Sequence, residues 1–327
     1  MKSSLPLLSI SLSLGPAATL GAGDVNARTL YQFTDGTWVE NLAVRQNGNI
    51  LVNLVDRPET YQINPAVSNG SAPALVHSFP GYTSVFGISE VSTDVFTVVT
   101  GNFSLSTFAV TDKSFGVWQL DLSGSEPVAT QVAAMPEATF LNGMTTLNSQ
   151  SVLVSDSTAG VVYKVDVQSG DYSVVLEDES MKPPSNASIP IGINGIRLFN
   201  GYLYYLNLFG KKYCRVAVDS TSGKAVGPYE VLGENVYADD FALTEQGIAY
   251  AADGFENQIL KVAQDGTVES VAGSLTSNLV IGATSAQFGR TNSDSGVLYV
   301  TTGGGLAAPI NGTYTEGGKI VALTGLY

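Results

Sequence analysis

Four oxygen-bearing side chains occupy the same position in a pattern that repeats along the chain. They are Glu40, Asn142, Asn194 and Asp239, and Asp240 follows the last of them. Carboxylate and amide oxygens are the ligands that hard divalent cations such as Ca²⁺ and Mg²⁺ prefer, and the same groups can direct hydrogen bonds at a polarised carbonyl. The shared position predicts one polar site. The alternative is that the two Asn-Gly pairs only form turns, with the acids bound to nearby backbone N–H groups.

Aromatic residues accompany this polar set. Trp38, Phe140 and Tyr237 each lie two residues before one of its members, and three further rings stand at comparable positions: Phe86, Phe241 and Phe288. If about half of these six rings point toward the polar groups, the site is an aromatic-walled pocket with a few fixed polar groups, which suits a largely hydrocarbon ligand. The alternative is that they pack between neighbouring repeats.

Several kinds of chemistry are excluded by residue counts. His77 is the only histidine and Cys214 the only cysteine, so a zinc site of His and Cys ligands cannot form, nor can an internal disulfide. A histidine-based triad would have to use His77, which lies in an outer-strand pattern, and Cys214 is interpreted as a small buried hydrophobe without a catalytic role. Glycine patterns for nucleotides do not occur in a strand-to-helix context. The net charge of −14 disfavours nucleic acid as a partner.

The elements that must position the polar set are six β-hairpins. They begin at residues 40, 87, 142, 194, 239 and 284, which are 47, 55, 52, 45 and 45 residues apart. Each is followed by a third strand that ends at a polar turn, at residues 61–65, 117–124, 162–170, 213–223, 259–266 and 319–325. A fourth strand follows five of these turns, and the sixth repeat lacks one because the printed sequence stops at Tyr327.

An unassigned strand pattern, ARTLYQF at residues 27–33, precedes the first hairpin and can supply the missing fourth strand by pairing with residues 318–324. The sequence therefore predicts an all-β, six-bladed propeller whose ring is closed by the N-terminal strand. An open sandwich of hairpins is the alternative. In a propeller the first strand of each blade lines the central channel, so Glu40, Asn142, Asn194 and Asp239 are predicted to meet at one mouth.

The N-terminal residues are typical of a secretory signal. Residues 1–23 carry a single charge, at Lys2, followed by an apolar, serine-rich run and then small residues. A transmembrane anchor is the alternative, although Pro6 and Gly15-Pro16 interrupt the run. We expect export to the secretory pathway or the extracellular space, a single domain over residues 24–327 and no membrane span. Four glycosylation sequons agree with export: Asn69, Asn102, Asn186 and Asn311.

The order Glu, Asn, Asn, Asp over six blades resembles the senescence-marker/gluconolactonase family of propellers. That resemblance implies a divalent metal held by Glu40, Asn194 and Asp239, with Asn142 as the substrate-side amide and Asp239 as the base in lactone hydrolysis. The sequence departs from the family at Phe140, where the family has an arginine that holds a sugar acid. An apolar side chain at this position disfavours a sugar lactone as substrate.

The sequences of the strand motifs are most similar to those of secreted fungal propellers of secondary metabolism. ENLAVRQNG, LNGMTTL, NGIRLF, DDFALT and TSAQFGR resemble the hetero-Diels-Alderases of tropolone-sesquiterpenoid biosynthesis. The resemblance implies an intermolecular cycloaddition that joins a tropolone o-quinone methide to a humulene-type terpene. Such a step needs no nucleophile and no redox cofactor, only apolar small-molecule substrates held in a reactive pose. Two alternatives stay open: a lactonase that uses Ca²⁺ or Mg²⁺, and a binding propeller without catalysis.

Overall fold

Six antiparallel sheets of four strands each, with one short extra hairpin, form the computed structural model, which describes residues 25–67, 72–187 and 189–326. Within these residues the helical content is a single 3₁₀ turn, Glu179–Met181, and no described helix is long and apolar enough to cross a bilayer. The six-bladed propeller predicted from the repeats is confirmed. The predicted signal segment 1–23 and the sequon at Asn69 lie outside the described residues.

Each blade runs from an inner first strand to an outer fourth strand. The strands of blade 1 are Val39–Val44, Ile50–Leu54, Glu59–Ile63 and Ala74–Ser78; those of blade 2 are Ser84–Ser92, Val95–Gly101, Gly116–Asp121 and Val128–Ala134; those of blade 3 are Leu141–Asn148, Ser151–Asp156, Val161–Asp166 and Tyr172–Glu177. Blade 4 contains Ile193–Phe199, Tyr202–Asn207, Lys212–Val218 and Ala225–Glu234; blade 5 contains Phe241–Leu243, Ala249–Asp253, Gln258–Val262 and Val268–Gly273; blade 6 contains Ala283–Phe288, Leu298–Thr302 and Lys319–Thr324 from the C-terminal part of the chain.

The outer strand of blade 6 comes from the other end of the chain. Asn26–Gln32 pairs antiparallel with Lys319–Thr324, and the register places Ala27 opposite Leu323 and Thr29 opposite Val321. Leu30 and Val321 thus lie in the same blade, as the predicted pairing of these two segments requires. Backbone groups that would otherwise form an open sheet edge are hydrogen-bonded by this arrangement.

The turns inside the blades follow their local sequence. Asn200 and Gly201, between the first two strands of blade 4, have φ angles of 49° and 79°. A type I′ turn requires two successive residues in the left-handed region, and Asn-Gly adopts this conformation at low cost.

Alternating apolar residues on the strands pack between neighbouring blades. Leu42 and Val52 of blade 1, for example, share a buried cluster with Tyr299 and Ile320 of blade 6.

The connection between the second and third strands differs strongly among the blades. In blades 1, 3, 4 and 5 it is four residues long, at 55–58, 157–160, 208–211 and 254–257. In blade 2 it spans residues 102–115 and contains the extra hairpin, Phe103–Ser104 paired with Ala109–Val110. In blade 6 it spans residues 303–318. Both long connections lie on the side of the ring where the polar residues meet.

Candidate functional site

The structure brings the four polar residues into one cavity on the ring axis. Glu40, Asn142, Asn194 and Asp239 all line a cavity of about 930 Å³, its open mouth included. They come from four different blades and reach the same space because the first strands converge on the axis. A cavity that is mostly apolar with a few fixed polar groups is typical of a small-molecule site.

β-Bulges aim these side chains at the axis. The pairing register of the first strand shifts between Val39 and Leu42, between Leu141 and Met144, and between Ile193 and Ile196. The residues within these shifts include Glu40, Asn142 and Asn194. A bulge bends its strand and changes the direction of a side chain, and bulges are common beside active sites. The Asn-Gly pairs at 142 and 194 are therefore parts of bulges inside the first strands, and they do not form hairpin turns.

The glycines of these pairs allow the inner strands to approach closely. A Cβ atom on Gly143 would lie 2.3 Å from the carbonyl oxygen of Asn194, and a Cβ on Gly195 would lie 2.5 Å from the Cα of Asp240. Glycine removes both clashes. The close approach permits a backbone hydrogen bond between blades 4 and 5, in which the N–H of Gly195 donates to the carbonyl of Asp239 at 2.9 Å. The bulges thus also join neighbouring blades around the channel.

Glu40 and Asp239 are carboxyl groups whose pKa values are raised by the site. Glu40 is 4% exposed, and burial raises its pKa to about 7, with a further increase from the charge of Asp240, against the lowering effect of its hydrogen bond from Trp38. Burial raises the pKa of Asp239 well above the ordinary value, and repulsion from Glu40 and Asp240 adds to this effect. Because a carboxylate desolvated beside another is costly, the protonated acid is favoured in such a pair.

Asp240 belongs to a different environment, although it is adjacent in sequence. Its Oδ2 accepts from the guanidinium of Arg197 at 2.7 Å and from the Ser285 hydroxyl at 3.0 Å, and its Oδ1 accepts from the N–H of Phe241. Burial raises its pKa, while Arg197 lowers it. Asp240 therefore has charge-assisted partners that Glu40 and Asp239 do not have among the described residues.

Asn142 and Asn194 supply further oxygen atoms. The side-chain Oδ1 of each is buried and has no hydrogen-bond partner among the described residues. Burying a hydrogen-bond acceptor without a partner costs free energy, and one explanation is a ligand or ion that binds this oxygen. Together with the carboxyl groups of Glu40 and Asp239, these oxygens fit the donor set of Ca²⁺ or Mg²⁺. No group of three or more His, Cys, Asp or Glu side chains in the described part of the chain is arranged to hold a metal, so a cation here would depend on the amides.

Three of the six predicted aromatic residues line the cavity: Trp38, Phe86 and Phe140. The indole N–H of Trp38 donates to Oε2 of Glu40 at 2.6 Å, which fixes the carboxyl group and the ring together. Phe86 and Phe140 meet edge to face with their centroids 5.6 Å apart. This wall joins directly to the polar floor of the cavity.

The other three predicted rings do not line the cavity. Tyr237 lies behind the lining, stacked on Phe255 with a centroid distance of 4.5 Å. Phe241 is fully buried and packs edge-on against Tyr213, because it lies two residues farther along the chain than Asp239, about 7 Å deeper in the blade. Phe288 lies at the far end of its strand and packs against Tyr250. Tyr237, Phe241 and Phe288 are therefore not part of the cavity wall, and Phe241 and Phe288 follow the alternative of packing between neighbouring blades.

Sequence reasoning missed the part of the wall that comes from loops. These residues are Phe103 and Phe108 of blade 2, Ile189 and Ile191 before blade 4, Leu208 and Phe209 of blade 4, Phe255 of blade 5 and Leu306 of blade 6. One signal was available, since the repeat from 87 to 142 is the longest of those counted. An insertion in a repeat array usually maps to one face, often the binding face.

The single His and single Cys lie away from the cavity lining. His77 is on the outer strand of blade 1 and packs against Phe79 with ring centroids 4.7 Å apart. Cys214 is fully buried, and burial raises the pKa of its thiol to about 12. A thiol with this pKa is not a nucleophile at neutral pH.

Two curated fungal relatives match most of the chain. A provisionally named hetero-Diels-Alderase, asR5 of Sarocladium schorii, is 30% identical over 310 residues, which cover 84% of this chain and 77% of the relative. A second provisionally named hetero-Diels-Alderase, from a Phoma species, is 31% identical over 306 residues, which cover 84% of this chain and 86% of the relative. The chain belongs to the hetero-Diels-Alderase family. No family model matches the sequence.

Solved structures place the fold of this hetero-Diels-Alderase family member among known propellers. A regucalcin, a calcium-binding protein of Agrobacterium tumefaciens, matches 91% of the chain and 93% of its own length with a TM-score of 0.63 at 16% identity. A luciferin-regenerating enzyme matches 92% of the chain and 96% of its own length with a TM-score of 0.65 at 13% identity. At these identities the similarity concerns the fold alone.

Proposed function

We propose that this hetero-Diels-Alderase family member catalyses an intermolecular hetero-Diels-Alder reaction that joins a tropolone o-quinone methide to a humulene-type terpene. Family membership supports the reaction class. The observation that carries the proposal is the cavity itself, where an aromatic wall stands over the buried Glu40 and the half-buried Asp239, two carboxyl groups with raised pKa values. Apolar partners need such a wall, and the oxygen of the heterodiene needs a hydrogen-bond donor.

The reaction is balanced without a co-reactant. The C=C–C=O unit of the quinone methide adds across one C=C bond of the terpene, so one C–C and one C–O bond form while three π bonds become one. No group leaves, and no external oxidant or reductant takes part. Holding both partners in a reactive orientation can lower the barrier by about 7–11 kcal/mol.

The chain's own residues have distinct roles in this proposal. Asp239 has no side-chain partner among the described residues, so its carboxylic proton is free to hydrogen-bond to the quinone-methide oxygen and stabilise the charge that develops there. Glu40 is held by Trp38 at 2.6 Å and keeps that indole in place. Phe86 and Phe140 exclude water and limit the approach of the terpene to one face.

A divalent cation is compatible with the same floor. Glu40, Asn194 and Asp239 would hold it with Asn142 nearby, and a bound cation would supply Lewis-acid polarisation of a substrate oxygen. The partnerless oxygens of Asn142 and Asn194 are the observation that favours a second candidate function, a metal-dependent lactonase. A non-catalytic binding propeller is the remaining candidate.

The test compares product formation between two matched variants. The protein is incubated with humulene and a tropolone quinone methide generated in situ, and the adduct is analysed by chiral chromatography. We expect Phe140→Leu to reduce rate and stereoselectivity together, because a looser pose lets the partners meet from either face. Phe288→Leu makes the same change outside the cavity lining and should leave both unchanged, with folding of both variants checked by thermal unfolding.

Different results would support the other candidates. Hydrolysis of a simple aldonolactone that requires added Ca²⁺ and disappears in Asp239→Asn would establish the lactonase and refute the cycloaddition. Tight retention of either substrate without any adduct above the uncatalysed background would indicate a binding protein.

We also propose that the protein is exported and glycosylated. Asn186 and Asn311 are exposed, whereas Asn102 is half-buried and its side-chain oxygen accepts from the N–H of Thr83. We therefore expect occupancy at Asn186 and Asn311 in preference to Asn102. Mass spectrometry of the protein from culture medium, with and without glycosidase treatment, tests both points.

A further inference from the structure

The hairpin of blade 2, residues 102–115, is one of the two long connections of the propeller and carries two rings of the cavity wall, Phe103 and Phe108. We propose that this hairpin is a specificity element and that Phe108 and Trp38 form a subsite for a planar, conjugated, oxygen-bearing ring. The inference rests on the proposed function, since it assigns one of the two reaction partners to a defined part of the cavity.

The rings of the hairpin continue the wall outward from the polar floor. Phe103 stacks on Phe140 with an interplanar angle of 9° and a centroid distance of 5.7 Å. Phe108 lies 6.1 Å from Phe103 and 6.3 Å from Trp38, edge-on to both. The wall therefore runs from Phe140 near the floor to Phe108 at the rim. Offset and edge-to-face contacts of this kind can be repeated with a flat ligand ring.

The backbone conformation at Phe108 is unfavourable for a phenylalanine, which suggests that the side chain has a function. Its φ angle is +52°, in the left-handed region that bulky residues seldom occupy, and its side chain is among the exposed large hydrophobic groups, 36% accessible. Asn or Gly would satisfy this backbone at lower cost. A strained, exposed aromatic ring at the edge of a cavity is a feature from which a functional role can be inferred.

Trp38 connects this subsite with the chemistry. One part of its indole contacts the Phe108 ring, while its N–H bonds to Glu40 at 2.6 Å. A conjugated ring packed against both Trp38 and Phe108, on the cavity side of the two rings, would point its oxygen toward the carboxyl groups of Glu40 and Asp239. The opposite side of the cavity, where Leu208 and Ile191 lie, is left for the hydrocarbon partner.

The experiment measures binding of tropolone, an unreactive planar probe, by isothermal titration calorimetry. Phe108→Asn removes the ring but suits the left-handed backbone, so we expect an unchanged or higher melting temperature together with a dissociation constant about fivefold higher, the effect of losing one aromatic contact. Phe108→Tyr should bind within twofold of the wild type. Leu208→Ala, the control on the other side of the cavity, should also stay within twofold.

Three outcomes would overturn the assignment. They are unchanged tropolone affinity in Phe108→Asn, an equal loss in Leu208→Ala, and no binding of tropolone by the wild-type protein. Because binding is measured without turnover, the result is separate from the proposed reaction. Tropolone binding that follows the expected pattern, in a protein that forms no adduct, would support the subsite and refute the cycloaddition.

Discussion

The acids along the central channel lie in two different environments. At the cavity end, Glu40 and Asp239 share one space and have no cationic partner among the described residues. Toward the opposite mouth of the channel, arginines are paired with acids: Arg197 with Asp240, Arg45 with Asp94 and Arg290 with Glu90. Glu90, Arg197 and Arg290 also line an opening at that end.

This difference separates structural from functional acids. An acid beside an arginine has its charge compensated within the protein, and removing only one partner of a buried pair is destabilising. Glu40 and Asp239 destabilise the fold when ionised, and such perturbed acids in a cavity are candidates for chemistry. The contrast is sharpest at residues 239 and 240, where two neighbouring aspartates belong to the two different environments.

The largest effect is expected from breaking the buried pair of Arg197 and Asp240. Their side chains are 15% and 2% exposed, so Arg197→Ala leaves a buried charge uncompensated and should lower the free energy of unfolding by about 3–5 kcal/mol. Urea denaturation measures the change. In the double variant with Asp240→Asn, part of the loss should be regained. A loss below about 1 kcal/mol in the single variant would show that this end of the channel is not held by the pair.

The second prediction concerns pH and the acid at the cavity end. Burial raises the pKa of Glu40 in the folded protein to about 7, above the ordinary glutamate value of 4.5. Between these two pH values Glu40 is protonated in the folded state and ionised in the unfolded state. The contribution of Glu40 to the free energy of unfolding is therefore complete below about pH 4.5 and is lost as pH rises toward 7. The loss is on the order of 3 kcal/mol. Urea midpoints at several pH values measure it, and Glu40→Gln should flatten this slope. A wild-type protein whose stability rises across the same window would contradict the prediction.

The cavity floor was largely predictable from the sequence, whereas the wall was only half predictable. Glu40, Asn142, Asn194 and Asp239 keep one position in a repeat, and repeat symmetry carries such positions to one axis. Phe241 shows the limit of that argument, because a step of two residues along a strand changes the depth by about 7 Å. Phe108 and Leu208 lie on connections whose paths no periodic pattern specifies. The Arg197–Asp240 pair was missed because it joins blades 4 and 5 through side chains without a shared motif.

The third prediction distinguishes a hydrogen-bonding acid from a hydrolytic base. In Asp239→Asn the amide keeps a neutral donor at the cavity floor, so a cycloaddition should slow by about tenfold, roughly 1.4 kcal/mol, with the same stereoisomer formed. The raised pKa of Asp239 is the reason that a neutral substitute suffices. Initial rates and chiral analysis of the adduct provide the measurement. Complete loss of activity would instead assign a base to this position.

The smallest effect is expected at the more exposed pair of Arg290 and Glu90. This pair tests whether burial alone determines how much free energy of unfolding is lost when the arginine is removed. The Arg290 side chain is 38% exposed and that of Glu90 14%, and Glu90 Oε1 also accepts from the N–H of Asp94 at 2.9 Å. In Arg290→Ala the carboxylate keeps that backbone donor and contact with water, so the free energy of unfolding should fall by less than about 1 kcal/mol. Added salt should reduce even this difference, because the pair is accessible to screening ions. Urea denaturation at low and high salt measures both quantities. A loss above 2 kcal/mol that persists in salt would mean that the arginines at this end act as one network, and the effect of Arg197→Ala could then not be attributed to its buried pair alone.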